Sequence, residues 1–264
     1  MSHSAVEDRR RPAGIDPRIQ ERRAEVRRRQ VRRRRRVVVV AVAAVAAGVG
    51  GWLLLHSSLL SARVVTVVGA RGAPAAEVVA AGGLEHDPPL IDVGAATVVG
   101  IERLPWVARA TVVREWPDGV RVRVVERVPV AAVALGPQSS PGGWALVDRT
   151  GTVVADASQP PAGLVWLGGV GAPGAPGTTL RDAGAALEVA ASLPRAFSSQ
   201  VKEVVEGPGG DVTLHLSSPL EVYLGSTVDL HQKFEDVAAV LAAGSLSAGD
   251  VVDVSAPATP VVRG

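Results

Sequence analysis

The chain has 264 residues, 47% of them apolar, which suits one or two packed domains and disfavours global disorder. It contains no cysteine, and this excludes disulfides and thiolate metal sites. Residues 1–36 carry fourteen arginines against five acids, a net charge of +9, whereas the remaining residues carry fourteen Lys or Arg against twenty-one acids, a net charge of −7. A basic N-terminal segment followed by an acidic remainder indicates that the two parts of the chain lie in different surroundings.

The first predicted element is a membrane span. Residues 37–55 contain no charge, and at about 1.5 Å per residue a helix of that length nearly matches the roughly 30 Å hydrocarbon core. Five arginines, residues 32–36, abut one end only. The positive-inside rule therefore predicts a single-pass protein with a cytoplasmic N-terminus and an extracytoplasmic bulk. A cleaved signal peptide, the main alternative, would have a shorter apolar core and a shorter basic leader.

Two weaker patterns belong to this region. Ala43, Ala47 and Gly51 form a stripe of small residues at i, i+4 and i+8 that can seat another transmembrane helix, although an alanine-rich span also produces such stripes by chance. The arginine-rich leader can bind DNA or anionic lipid headgroups, but a topology signal on a solvated tail is the simpler interpretation. We therefore predict a disordered basic cytoplasmic tail at 1–36 and a transmembrane helix at 37–60.

After the span, residues 61–129 predict a small domain with the order β-α-α-β-β. The predicted strands are 63–70, 107–115 and 120–128, and the predicted helices are 74–83 and 95–104. Proline opens the first helix and glycines close it. The sequence Pro117-Asp118-Gly119 predicts a type I turn followed by a left-handed glycine. Alternating valine and arginine in the last strand predict one buried and one solvent-facing side.

Residues 130–264 predict a second domain that is rich in strands. Its predicted strands lie within the segments 143–156, 164–167, 201–206, 211–216, 218–225 and 250–264, and its predicted helices are 180–193 and 228–243. Strands outnumber helices, so the fold class is α+β with a largely antiparallel sheet. Pro257 and Pro260 cannot donate hydrogen bonds, and they therefore place the last strand at a sheet edge.

The residues that could carry chemistry do not form a recognisable site. Gly169, Gly171 and Gly174 match G-x-G-x-x-G, but Pro173 and Pro176 delay the next helix and lack the amide protons that bind a pyrophosphate. The segment is therefore predicted to be a loop. The five histidines show no metal-ligand spacing, and no serine stands in a nucleophile motif. We predict no catalytic site, no cofactor and no metal.

Residues 104–131, LPWVARATVVREWPDGVRVRVVERVPVA, resemble the signature of the FtsQ/DivIB family of bacterial cell division proteins, in which a POTRA domain ends in a hairpin of this kind. The similarity continues at 64–70 (VVTVVGA), 146–154 (LVDRTGTVV), 222–225 (VYLG) and 251–262 (VVDVSAPATPVV). It covers nearly everything from the membrane span to the C-terminus. The loop at 168–177 has no counterpart in the family pattern.

The resemblance implies a non-catalytic scaffold at the division septum in the bacterial inner membrane, which links early and late division proteins and positions septal peptidoglycan synthesis. The implied partners are FtsB/DivIC-like and FtsL-like membrane proteins, together with FtsW-type and transpeptidase members of the divisome, and no small-molecule substrate. In the family, a partner adds a strand to the last strand of the second domain. The predicted partner-binding residues are Val251, Val252, Val254, Ser255, Val261, Val262 and Arg263.

Arg114 and Trp116, near the hairpin tip, support a second hypothesis of contact with other division proteins. Packing of Trp116 against its own strand is the favoured alternative. Three rival classes remain: a POTRA-containing outer-membrane assembly or secretion protein, a membrane-anchored cell-wall enzyme, and a membrane-tethered DNA-binding protein. The first would carry a cleaved signal and a C-terminal barrel, the second a nucleophile motif, and the third a leader that binds nucleic acid with a strong salt dependence.

Overall fold

The computed structural model describes residues 17–72, 74–136, 142–244, 246–256 and 259–264, with the side chains of residues 17–31 outside the description. The chain divides into an N-terminal unit that ends at Leu59 and a compact unit from Leu60 to Gly264.

The N-terminal unit contains one long helix, α1 (Pro17–Leu55). Its part from Arg32 to Leu55 has a mean hydropathy of 2.4 and is long and apolar enough to cross a membrane. The predicted disorder is wrong for residues 17–36, which are helical because arginine, glutamate, glutamine and alanine are good helix formers. The predicted span also extends too far, since α1 ends at Leu55 and a 3-10 turn follows at Ser58–Leu60.

The second unit begins with a small module of three strands and two helices. Its elements are β1 (Val64–Val68), α2 (Ala75–Ala81), α3 (Ala95–Glu102), β2 (Val107–Glu115) and β3 (Gly119–Glu126). Their order confirms the predicted β-α-α-β-β pattern. The sheet has the order β1-β3-β2, with β1 parallel and β2 antiparallel to β3.

The alternating pattern in β3 separates a buried face from an open one. Val120, Val122 and Val124 are buried, and they pack in one core with Val78 of α2 and Ile101 of α3. The intervening arginines are exposed, as predicted. The two helices therefore cover one face of this sheet.

The β2–β3 turn differs from its prediction. The Trp116–Pro117 peptide bond is cis, and Gly119 is not among the residues with a positive φ. A Cβ atom at Gly119 would lie 2.9 Å from the Glu115 carbonyl oxygen. Glycine is needed here for close backbone approach, because the two strands pair directly at Glu115 and Gly119.

The C-terminal module is built on a nine-stranded sheet in the order β12-β11-β10-β9-β8-β7-β4-β5-β6. Its elements are β4 (Pro129–Ala134), β5 (Trp144–Asp148), β6 (Val153–Ala157), β7 (Val165–Gly168), α4 (Gly184–Ser192), α5 (Arg195–Ser198), β8 (Val201–Glu206), β9 (Val212–Leu216), β10 (Glu221–Gly225), α6 (Leu230–Ala243), β11 (Val251–Asp253) and β12 (Val261–Arg263). The pairs β4–β7, β7–β8 and β10–β11 are parallel and the other five are antiparallel. The sheet is therefore mixed with an antiparallel majority, and the α+β class holds.

Helices α4, α5 and α6 share one apolar core with the sheet. Along β10, Val222 and Leu224 are buried in that core, whereas Glu221 and Tyr223 point to the other face. Lys233 of α6 is also buried, and its ammonium group donates to the carbonyl oxygens of Leu224 and Ser226 at 2.9 and 2.8 Å. This contact fixes α6 to the end of β10, close to the edge that carries β11 and β12.

An ion pair joins the two modules at the point where the chain passes from one to the other. Arg127 follows β3, and its Nη1 donates to Oδ2 of the buried Asp148 at 2.7 Å. The other oxygen of Asp148 accepts bonds from Thr150 and Thr152. Burial raises the pKa of the Asp148 carboxyl, but the bonds from Thr150, Arg127 and Thr152 outweigh burial and lower it overall.

Candidate functional site at the open edge of the large sheet

The strand β12 forms one edge of the nine-stranded sheet. It pairs antiparallel with β11 through Val261–Asp253, Val262–Val252 and Arg263–Val251. Within the described residues, no segment pairs with its outer side. Val261 and Val262 are 50% and 45% exposed. Because alternate residues of an edge strand direct their amide and carbonyl groups outward, β12 presents unpaired backbone groups to a partner.

The two valines of β12 lie on opposite faces of the sheet. Val262 pairs with Val252, which is fully buried in the core shared with the helices. Val262 therefore extends the margin of that core. Val261 and Arg263 lie on the other face. A strand added to β12 would lie beside Val262 on the helix side and beside Val261 and Arg263 on the opposite side.

The predicted partner-binding residues do not all lie at the edge. Val251 and Val252 belong to β11, which is the second strand in, and Val254 continues its pairing through a bond from its amide to the Tyr223 carbonyl. Val252 and Val254 are fully buried. Substitutions at these two positions would therefore disrupt the core. Val261, Val262 and Arg263 remain accessible, while Pro257 lies outside the described residues.

The Asp253 carboxylate at the end of β11 bonds both to the loop that follows and to β12. Its Oδ1 accepts bonds from the Ser255 amide at 3.0 Å and the Ser255 hydroxyl at 2.7 Å. Its Oδ2 accepts a bond from Arg263 at 2.8 Å. Burial alone raises the pKa of the Asp253 carboxyl, but the Ser255 bonds and the Arg263 charge lower it below its ordinary value. The ionised carboxylate therefore helps to fix the position of β12.

The opposite edge of the sheet, β6, is covered. The glycine-rich loop after β7 returns to it, so that the Val153 amide donates to the Thr178 carbonyl and the Gly177 amide donates to the Val153 carbonyl, both at 2.8 Å. Thr152 and Thr179 form a further bridge. At the other end of β6, Asp156 lies opposite the buried Ala145 and adds a charge. Both features oppose the addition of a strand.

The hairpin-tip residues have separate roles. The Nε of Arg114 donates to the Val93 carbonyl at 2.7 Å and its Nη2 to the Ile91 carbonyl at 3.1 Å. Arg114 thus fixes the loop before α3. Trp116 is 53% exposed at the hairpin tip, and its packing against its own strand stays a prediction. In α1, Ala43, Ala47 and Gly51 are all exposed, and a Cβ atom at Gly51 would meet no atom within 4 Å.

By fold, the chain is a candidate single-pass membrane protein in which one apolar helix precedes a POTRA-like module and a mixed-sheet module with an open edge. A family model for the POTRA domain, FtsQ-type, matches residues 60–127, and a model for the C-terminal region of cell division protein FtsQ/DivIB matches residues 138–255. The chain belongs to the FtsQ/DivIB family of cell division proteins.

Relatives from several organisms support this assignment. The chain is 32% identical to cell division protein FtsQ of Mycobacterium leprae, over 77% of this chain and 56% of that protein. It is 31% identical to the Mycobacterium tuberculosis protein of the same name, over 77% of this chain and 61% of that protein. The Streptomyces collinus FtsQ is 31% identical over 76% of each chain. The matched region thus spans little more than half the length of the mycobacterial proteins.

Family membership assigns the chain to the proteins of cell division. Three contributors to the site were missed in the sequence. The Asp253–Arg263 pair was missed because the two residues are ten positions apart and meet only when β11 and β12 pair. The pairing of the glycine-rich loop with β6 was missed because Val153 and Thr178 are far apart in the sequence. The hydrogen bond from Lys233 to the Leu224 carbonyl could not be predicted from the sequence spacing of the two residues.

Proposed function

We propose that the chain is a non-catalytic scaffold of the bacterial division septum, which links early and late division proteins and positions septal peptidoglycan synthesis within a complex of the FtsQ–FtsL–FtsB type. One observation carries the proposal: within the described residues the outer side of β12 has no backbone partner, whereas the start of β6 is paired with the glycine-rich loop at Val153. Strand addition is therefore favoured at β12 over β6.

In this proposal, an FtsB/DivIC-like partner pairs with β12. The backbone amide and carbonyl of Val262, which point away from β11, supply affinity, and an apolar partner side chain beside Val262 extends the packing of the core. Pro260, the preceding alternate position, lacks an amide proton, so Val262 is the first outward donor of the augmented segment. The FtsL-like protein and FtsW-type and transpeptidase members are bound in the same assembly. Arg114 and Trp116 are proposed as further contacts, and Ala43, Ala47 and Gly51 as a seat for a partner transmembrane helix.

The proposed arrangement places residues before the span in the cytoplasm and the two modules outside it. The one-sided cluster of arginines before the apolar segment supports this orientation. A fluorescent fusion in dividing cells is expected to concentrate at the septum. A fusion distributed evenly around the envelope of cells that still divide would contradict the septal assignment.

A matched pair of proline variants tests the partner site. Val262→Pro alters the backbone of the exposed strand β12, whereas Ala155→Pro does the same in β6. With full-length protein and the FtsB/DivIC-like partner, we expect Val262→Pro to weaken binding by about tenfold or more, equivalent to about 1.4 kcal/mol, and Ala155→Pro to have little effect. Equal binding by both variants and the unaltered chain would refute the proposed edge, provided that their melting curves show folded protein.

A further inference from the structure

The open face of the three-stranded sheet combines arginines with exposed valines. Across β2 and β3, Val113 faces Arg121 and Arg109 faces Val125, while Val68 of β1 faces Arg123. All of these residues lie on the side opposite the buried Val120, Val122 and Val124. The arginine–valine face consists of Val68, Arg109, Val113, Arg121, Arg123 and Val125.

Three valines of this face are exposed to solvent. Val68, Val113 and Val125 are 45 to 53% exposed. The open side of an antiparallel sheet usually carries polar residues, and contiguous exposed apolar side chains mark a surface that contacts something else. The face therefore has the character of a docking surface rather than of a solvated one.

The charge of the face is positive. Its three arginines are accompanied by one acid, Glu115, which pairs with Arg121 at 2.6 Å. Within the described part of the chain, no ion pair is found for Arg109 or Arg123. Two arginines are therefore free to meet an anionic surface, and the valines between them suit an interface that is partly apolar.

The short chain segment between this face and the apolar helix indicates that the anionic surface is the membrane. β1 begins at Val64, nine residues after α1 ends at Leu55, so at most about 32 Å of extended chain separates the sheet from the apolar span. The hairpin tip adjoins the start of β1, because the amides of Arg63 and Val64 donate to the Asp118 carbonyl at 3.0 and 3.1 Å. Trp116 is exposed at this tip, and tryptophan favours the membrane–water interface.

We propose that the arginine–valine face docks on the anionic phospholipid headgroups of the membrane that anchors the chain, with Trp116 entering the headgroup layer. Arg109 and Arg123 contact lipid phosphates, and the valines lie against the apolar boundary. An acidic segment of a partner protein would offer similar charges, but the short tether favours the bilayer. The proposal does not depend on partner binding at β12.

Spin labels on the full-length protein test the contact directly. The chain has no cysteine, so Val113→Cys and Val125→Cys each introduce one labelling site, and Val99→Cys provides a control on α3, which lies on the helix-covered side. In vesicles containing phosphatidylglycerol, we expect the first two labels to lose access to a water-soluble nickel chelate and to gain access to oxygen. The Val99→Cys label is expected to stay water-accessible.

A charge-reversal pair separates lipid binding from a fold defect. Arg109→Glu/Arg123→Glu should abolish the lipid contact of both labels, whereas Arg103→Glu/Arg149→Glu, which reverses two exposed arginines elsewhere, should preserve it. Melting curves establish that each variant is folded. About 1 M salt, where the screening length is about 3 Å, should weaken the contact in the unaltered protein.

Two results would overturn the proposal. The first is full water access of the labels at 113 and 125 in phosphatidylglycerol vesicles, equal to that of the label at 99. The second is protection of those labels only after an acidic partner protein is added, which would assign the face to a protein interaction.

Discussion

The two edges of the nine-stranded sheet differ in how their outer backbone groups are paired. At β6, the glycine-rich loop donates to and accepts from Val153, and Asp156 adds a charge to the rest of the strand. At β12, the described residues leave the outer side open, and the exposed side chains are mainly apolar. An open sheet can add strands at either end, and covering one end restricts addition to the other. The fold therefore favours strand addition at β12 over addition at β6.

The largest expected effect comes from the layer just inside the open edge. Val252→Asp places a carboxylate in the core, where an unpaired charge costs several kcal/mol. We expect the C-terminal module to lose its cooperative unfolding transition or to melt at a much lower temperature. Val262→Asp, one strand outward, is the matched control and should stay folded. If both variants melted alike, β11 and β12 would not differ as the structure indicates.

A second substitution, Gly177→Pro, removes a hydrogen bond between the glycine-rich loop and β6. Gly177 has φ +92° and donates its amide to Val153, so Gly177→Pro removes the donor and requires a different φ. We expect a destabilisation of more than about 1 kcal/mol and faster hydrogen exchange at the Val153 amide.

Gly209→Pro provides the control, since Gly209 has a similar φ of +96° in the β8–β9 turn. This variant should leave exchange at Val153 unchanged. Faster exchange at Val153 in the control as well would show that the effect is general rather than a loss of the edge cover.

A smaller effect is expected from the Asp253 carboxylate. Its folded-state pKa is lowered from the ordinary value of 3.8, so its stabilising contribution is present above that value and is lost as the pH falls through the folded-state pKa. Asp253→Asn should cost about 1 kcal/mol at neutral pH, since charged hydrogen bonds are replaced and Arg263 is largely exposed.

Melting temperatures measured against pH for both proteins separate Asp253 from other acids. Asp148 also has a lowered pKa, but it is present in both chains, so the difference between their curves isolates Asp253. The curves should be apart at neutral pH and converge in acid. A constant separation at every pH would mean that the stabilising group is not the ionised carboxylate.

The sequence was most informative where local patterns decide the structure. The alternation of valine and arginine in β3 predicted its two faces, and the hairpin signature identified the family. The sequence failed where distant segments meet. Nothing local in Val252 or Val254 shows that β12 will pair outside them and leave them in the core. Likewise, the pairing of Thr178 with Val153 depends on the return of a loop across the sheet edge.

Hydrogen exchange of the full-length protein, with and without its FtsB/DivIC-like partner, tests the central claim most directly. A partner strand on β12 should slow exchange of the outward-facing Val262 amide and leave exchange at 153–157 unchanged. Slower exchange at 153–157 with no change at 261–263 would contradict it.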